Sequence, residues 1–89
     1  MSNEEITLEQ IEKMKHAVGL DHKRPSRGKY EAYRNYSMYY EDEPTWEAIV
    51  GKGLAEKTVA GKSSVYYSLN QRGLDLLGRI MNCKIKERE

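Results

Sequence analysis

The sequence predicts a small α+β domain in which helices and one β-hairpin share a single core. Three observations indicate this fold class. The chain of 89 residues has room for only one core. Apolar residues recur at helical spacing in three places, and an alternating stretch surrounds a glycine-containing turn. Hydrophobic residues make up 38% of the chain and charged residues 33%, which is typical of a globular protein. We therefore expect one domain over residues 1–89.

The first predicted helix is marked at both of its ends. Thr7 and Gln10 have the spacing of a capping box, so the helix begins at Leu8. Gly19 supplies the left-handed residue that ends it. The apolar stripe that we expect to face the core consists of Leu8, Ile11, Met14 and Val18.

A basic loop and an aromatic segment follow this helix. Residues 21–29 contain Pro25, Ser26 and Gly28 among charged residues, which predicts a loop. The next eleven residues hold five tyrosines: Tyr30, Tyr33, Tyr36, Tyr39 and Tyr40. The three-residue spacing of the first four fits a short helix loosely and an irregular segment equally well, so both conformations stay open.

The second half of the chain predicts a helix, a hairpin and a last helix. Pro44 follows three acidic residues, as at the first position of a helix. Gly51 and Gly53 end that helix, and a turn at residues 60–62 divides two strands. Asn70 is a good N-cap for the last helix. Its inner face holds Leu74, Leu77, Ile80 and Met81. Residues 84–89 read as a charged tail.

The stretch from residue 46 to residue 80 carries a resemblance. It has a helix ending in Gly53-Leu54-Ala55, a hairpin tipped by Gly61-Lys62, and a tyrosine-leucine entry to the last helix. This stretch resembles the wing half of winged-helix repressors of the MarR-like and PadR-like kinds. The resemblance implies a winged-helix-like domain with the order helix, irregular aromatic segment, helix, β-hairpin wing and C-terminal helix.

The whole chain also resembles a group of small uncharacterised phage and prophage proteins. The shared segments are His16-Ala17-Val18-Gly19-Leu20, Tyr33-Arg34-Asn35-Tyr36 and the glycine-leucine step before the hairpin. This second resemblance implies an origin in a phage or prophage.

The distribution of charge along the chain predicts a nucleic-acid-binding or regulatory function. The net charge is only +1, but basic and acidic residues occur in separate blocks. In this hypothesis basic side chains contact DNA phosphates, and tyrosines stack on unpaired bases. The candidate contacts are Lys23, Arg24, Arg27, Lys29, Arg34, Lys57, Lys62, Ser63 and Ser64. An acidic block from Glu41 to Glu47 stands at the start of the second helix and disfavours docking of that helix in the major groove.

A protein-interaction module on the same scaffold, without DNA binding, is the alternative. Its candidate contacts are Tyr36, Tyr39, Tyr40, Glu41, Asp42 and Glu43. A homodimer through the last helix is a further hypothesis, with Leu76, Ile80 and Cys83 as its candidate contacts. The competing interpretation of all these side chains is ordinary core packing and solvation.

The sequence predicts neither an enzyme nor a metal or cofactor site. His16 and His22 have no Cys or Asp cluster around them, and Cys83 is a single cysteine. No arrangement of nucleophile and base, or of paired carboxylates, is recognisable. Because no apolar run is long enough for a bilayer, we expect no membrane contact and a cytoplasmic location.

Overall fold

Three helices and five strands are formed within the parts of the chain that the computed structural model describes, residues 6–20 and 24–87. In chain order they are α1 (Leu8–Val18), β1 (Lys29–Ala32), β2 (Ser37–Tyr39), α2 (Pro44–Gly51), β3 (Ala55–Ala60), β4 (Ser64–Leu69), α3 (Gln71–Met81) and β5 (Lys84–Glu87). One sheet pairs β1 with β5 in parallel, and the other is antiparallel with the order β2-β4-β3. The α+β class is confirmed, as are the three helices and the hairpin.

The caps of α1 are those that the sequence predicts. The Thr7 hydroxyl accepts from the Gln10 N–H at 3.1 Å, and the Gln10 side chain accepts from the Thr7 N–H at 3.2 Å. Gly19 has a φ of 85°, in the left-handed region. The predicted stripe is wrong at Leu8, which is 73% exposed because the first turn of the helix extends past the core. Ile11 is half-buried, and Met14 and Val18 are fully buried.

The tyrosine segment forms two short strands instead of a helix. The last two carbonyls of α1 help to fix this conformation, because a helix end leaves them without intrahelical partners. Tyr30 Oη donates to the Val18 carbonyl at 2.7 Å, and the Tyr36 N–H donates to the Ala17 carbonyl at 3.1 Å. The Tyr36 bond uses a backbone N–H that a helix would spend on its own i−4 carbonyl, so it favours a non-helical chain at this point.

The segment predicted as a charged tail forms strand β5 over the residues that the structure describes. Asn82 ends α3 with a φ of 57°, which reverses the chain direction. The Lys84 N–H then donates to the Gly28 carbonyl at 2.8 Å and starts the pairing with β1. Ile85 is buried between exposed lysines, so β5 is held by one apolar side chain as well as by its ladder.

A single helix, α2, lies between β2 and β3. Glu43 caps it by accepting from the Trp46 N–H at 3.1 Å, and Pro44 begins it, as predicted. The chain then enters the hairpin, whose turn contains Gly61 with a φ of 68°. Residues 40–54 are all described and contain no second helix, so they do not form a helix-turn-helix pair.

The core lies between a helix layer and a sheet layer. The shortest dimension of the molecule is 19 Å, which accommodates only two layers at a spacing of about 10 Å. Trp46 stacks on Tyr67 with their ring centroids 5.5 Å apart. The largest fully buried side chains are Trp46, Tyr67, Met14, Ile49, Leu54, Leu77 and Val18. The helices contact one face of each sheet, and the exposed side chains of the strands mark its other side. We call this side the outward side.

No helix in the described residues is long and apolar enough to cross a membrane.

Candidate functional site

An almost uncharged face rich in tyrosine occupies the outward side of the three-stranded sheet. Its central row consists of Met38, Tyr66 and Thr58, which are directly paired across the strands. By the alternation of a strand, its outer rows hold Tyr36, Ser68 and Glu56 at one end and Tyr40, Ser64 and Ala60 at the other. We call these nine residues the tyrosine face. Glu56 is its one charged member.

The rings of the tyrosine face are accessible. Tyr36 is 53% exposed, Tyr40 is 74% exposed and Met38 is 40% exposed. The rings of Tyr36 and Tyr66 lie in contact, with centroids 6.2 Å apart and an interplanar angle of 60°. Because the two rings are tilted, a flat partner can stack on one ring and meet the edge of the other without displacing the core.

A row of positive charge lies on the outward side of the parallel sheet. The register places Lys29 beside Lys84 and Glu31 beside Lys86, and all four side chains are exposed. Arg27, in the left-handed region with a φ of 55°, is exposed in the turn just before β1. We call Arg27, Lys29, Lys84 and Lys86 the basic strip. The three lysines, with Tyr30 and Glu31, line a groove of about 300 Å³.

The pairing of Lys29 with Lys84 is unfavourable for the free protein. Like charges directly opposite each other on neighbouring strands repel and lower the stability of a sheet. An anion placed between the two ammonium groups relieves that repulsion. The strip therefore has the electrostatics of a site for phosphate or carboxylate groups.

Asn35 joins the two sheets and brings the tyrosine face close to the basic strip. Its amide donates to the Leu69 carbonyl at 2.8 Å and accepts from the Leu69 N–H at 2.9 Å, so it continues the ladder between β2 and β4. The same Nδ2 lies 3.3 Å from Glu87 Oε2 of β5. Tyr36 and Lys86 are each one residue from this contact. The chain at Tyr36, just before β2, and the end of β5 therefore lie next to each other.

Two of the basic residues predicted to contact DNA have partners within the protein. Lys57 Nζ lies 2.9 Å from Asp42 Oδ1 and 2.9 Å from Glu47 Oε2. Hydrogen bonds to Asp42 and Glu47 raise the pKa of Lys57. Arg34 Nη2 donates to the His16 carbonyl at 2.7 Å, at the end of α1. Both side chains hold elements together, and neither lies in the basic strip.

The ion pair of Lys57 belongs to a network around the buried Tyr67. Tyr67 Oη donates to Glu47 Oε2 at 2.6 Å and accepts from the Glu43 N–H at 3.0 Å. Hydrogen bonds from Tyr67 and Lys57 lower the pKa of Glu47. Burial, followed by the bond to Glu47, raises the pKa of Tyr67. The arrangement anchors the start of α2 on the hairpin.

The other predicted nucleic-acid contacts lie in three places. Lys23 is outside the described residues, and Arg24 is exposed in the loop before β1. Lys62 and Ser63 are exposed at the hairpin tip, where the half-buried Ser64 begins β4. The tip is at the opposite end of β4 from the contact with Asn35. The strand spans about 17 Å at 3.3 Å per residue.

The residues predicted for protein interaction are divided by the fold. Tyr36, Tyr40 and Glu41 are exposed on one side. Tyr39 turns inward, half-buried, and its ring meets that of Tyr67 edge-on with a centroid distance of 5.9 Å. Asp42 forms an ion pair with Lys57, and Glu43 caps α2. The six residues therefore do not form one surface.

The residues predicted for a dimer do not form a continuous apolar face. Leu76 is only 8% exposed because it belongs to the core, whereas Ile80 is 40% exposed. Cys83 is half-buried, and burial raises the pKa of its thiol.

Several residues of the outward side were missed by the sequence analysis, namely Met38, Tyr66, Lys84 and Lys86. A signal for them was present in two alternating stretches. Residues 64–69 alternate between half-buried and buried positions, and residues 84–86 have a buried isoleucine between two exposed lysines. Reading the second stretch as a strand would have placed Lys84 and Lys86 on one face.

No family model matches the chain, and neither a curated protein nor a solved structure matches it. Among the described residues, no group of three or more His, Cys, Asp or Glu side chains could hold a metal ion.

Proposed function

We propose that the protein is a nucleic-acid-binding domain that contacts phosphates through the basic strip. The observation that carries this proposal is the pairing of Lys29 with Lys84 beside Lys86, around one groove. Lysines are ordinary phosphate ligands, and phosphate contacts dominate affinity for nucleic acids. Arg27 extends the positive charge along the same edge. The proposal keeps Arg27 and Lys29 from the sequence analysis and adds the two lysines of β5.

A winged-helix-like arrangement is part of this proposal. The pairing of β2 with β4, between a first helix and a hairpin followed by a last helix, supports it. The acidic start of α2 disfavours entry of that helix into a DNA groove, because Glu43 and Glu47 would meet phosphates there. We therefore assign the contact to the sheets and not to α2. An origin in a phage or prophage stays a prediction.

The test compares paired variants in a binding titration. The protein is titrated into fluorescein-labelled oligonucleotides, single-stranded and duplex, at several salt concentrations, and the anisotropy is followed. One variant is Lys84→Gln with Lys86→Gln. Its control, Lys15→Gln with Lys52→Gln, removes the same charge from the helix layer.

Loss of two phosphate contacts should flatten the slope of log K against log salt by about 1.4 for single strands. If the variant and the unmodified protein bind equally at 1 M salt, this difference in slope makes the affinity of the variant about 25-fold lower at 0.1 M salt. The control should stay within about a factor of two of the unmodified protein. The absence of salt-sensitive binding by the unmodified protein would refute the proposal, and so would an equal loss in the control.

A protein partner is the second candidate, and one observation favours it. The tyrosine face combines tyrosine and methionine with a single carboxylate, a composition that is typical of the centre of protein interfaces. A protein that docks there should lose affinity in Tyr66→Ala and keep it in the Lys84→Gln, Lys86→Gln variant. Nucleic-acid binding through the strip predicts that the lysine variant loses affinity.

A further inference from the structure

We propose that the ligand is single-stranded nucleic acid, whose unpaired bases stack on the tyrosine face while the basic strip holds its phosphates. This inference rests on the proposed function and specifies its substrate class. It depends on an arrangement of side chains from two strands, β2 with its flanking residues and β4, that are adjacent in the sheet but distant in the chain. Tyr36, Met38 and Tyr40 are exposed, and Tyr66 is half-buried.

The first argument is the chemistry of the tyrosine face. An unpaired base presents a flat apolar ring, and stacking on exposed aromatic side chains tolerates any sequence. A base in a duplex is already stacked, so its ring face is not available. Tyr36 and Tyr66 lie in contact and can receive one base, and Met38 extends the surface toward Tyr40. The hydroxyls of Ser64, Ser68 and Thr58 can bond to the base edges.

The second argument is the dimensions of the face. Tyr36 and Tyr40 flank the strand β2, and an extended chain spans at most about 13 Å between them, at 3.3 Å per residue. Small sheets that bind RNA stack two or three bases on a comparable area. The face therefore accommodates a segment of a few nucleotides and is too short for a long site.

The third argument is the position of the positive charges. The end of β5, which carries Lys86, lies next to the Tyr36 end of the face, because Asn35 Nδ2 is 3.3 Å from Glu87 Oε2. Lys62 is exposed in the turn beside the Tyr40 end. A nucleic-acid strand that leaves the face can thus meet Lys62 at one end and Lys86 at the other, where the carboxylates of Glu56 and Glu87 also lie, with its bases over the uncharged middle. That complementarity favours a nucleic acid over a neutral protein surface, which would gain nothing from the lysines.

The experiment separates the bases from the phosphates. The protein is titrated with a labelled single-stranded oligonucleotide of ten nucleotides, with its abasic counterpart of equal charge, and with the matching duplex. The single strand should bind more tightly than the other two ligands. Tyr36→Ala and Tyr66→Ala should each weaken its binding about tenfold and leave binding of the abasic strand unchanged. Tyr36→Phe and Tyr66→Phe should keep most of the affinity, since the ring remains.

Two controls accompany these variants. Tyr33→Ala removes an exposed tyrosine that lies outside the tyrosine face, against Gly19, and should leave the affinity unchanged. The ε-methyl NMR signal of Met38 reports on the unmodified protein. It should shift upfield with the base-containing strand and not with the abasic strand, while the signal of the buried Met14 stays in place.

Equal affinity for the base-containing and abasic strands, with no shift at Met38, would overturn this inference while the proposed phosphate contact survives. If neither strand binds at low salt, the proposed function fails together with the inference. Tighter binding of the duplex than of the single strand would also overturn the inference, because paired bases cannot stack on the face.

Discussion

The neighbouring pairs on β1 and β5 predict opposite effects of the same substitution. Lys84→Glu places a carboxylate opposite Lys29, so a repulsive pair becomes attractive. Lys86→Glu places a carboxylate opposite Glu31, so an attractive pair becomes repulsive. Both variants change the net charge of the protein by the same amount. Lys84→Glu should therefore stabilise the fold, and Lys86→Glu should destabilise it.

The size of the effect follows from the spacing of the strands. Neighbouring strands lie about 4.8 Å apart, and flexible side chains let the two charges separate to roughly 7 Å. At that distance in water the interaction is about 0.6 kcal/mol, so a reversal of sign changes it by about 1.2 kcal/mol. Screening at 0.1 M salt leaves about half of this change. We expect a gain in stability of about 0.6 kcal/mol for Lys84→Glu and a similar loss for Lys86→Glu.

Urea denaturation followed by far-ultraviolet circular dichroism measures this difference. A slope of about 1.2 kcal/mol per M translates 0.6 kcal/mol into a midpoint shift of about 0.5 M. The shifts of Lys84→Glu and Lys86→Glu should be opposite and should nearly vanish in 1 M salt. Oligonucleotide affinity should fall in both variants. Midpoints that move in the same direction would refute the register of β1 against β5 and the reasoning built on it.

Two further predictions concern stability alone. Asn35→Ala should destabilise the protein by about 2 kcal/mol in the same urea assay, because one N–H and one carbonyl of β4 lose their partners; an unchanged midpoint would mean that water replaces the amide. Because hydrogen bonds from Tyr67 and Lys57 lower the pKa of Glu47 in the folded state, its contribution is present above pH 4.5 and is lost as the pH falls below that value. In Glu47→Gln the loss of stability between pH 4.5 and pH 3 should be smaller than in the unmodified protein, and equal losses would show that this carboxylate is not coupled to folding.

The parts of the fold that local chemistry determines could be predicted from the sequence. The capping box of Thr7 with Gln10, the end at Gly19 and the start at Pro44 each depend on a few neighbouring residues. The hairpin is local too, because its strands are joined by a turn of three residues. Such elements can be predicted from neighbouring residues alone, without knowing how the rest of the chain packs.

The candidate site depended on pairings that the sequence does not encode locally. Strands β1 and β5 are more than fifty residues apart, and each has only four residues, so neither gives a strong pattern alone. The tyrosine spacing of three was misleading because Tyr30 and Tyr39 turn inward, whereas Tyr36 and Tyr40 turn outward. Lys57 was assigned to DNA from its place near the hairpin, yet a distant carboxylate, Asp42, determines its role.

The parallel pairing of β1 with β5 also has a kinetic consequence. Strand β5 contributes only one buried side chain, Ile85, and meets β1 at a repulsive lysine pair, so β5 should detach before the rest of the domain opens. Any anion that bridges Lys29 and Lys84 binds only the closed form and slows that opening. Amide hydrogen exchange at Lys84, whose N–H donates to the Gly28 carbonyl, thus becomes an internal reporter of occupancy. Its protection should rise with ligand concentration while the amides of the hairpin keep their exchange rates.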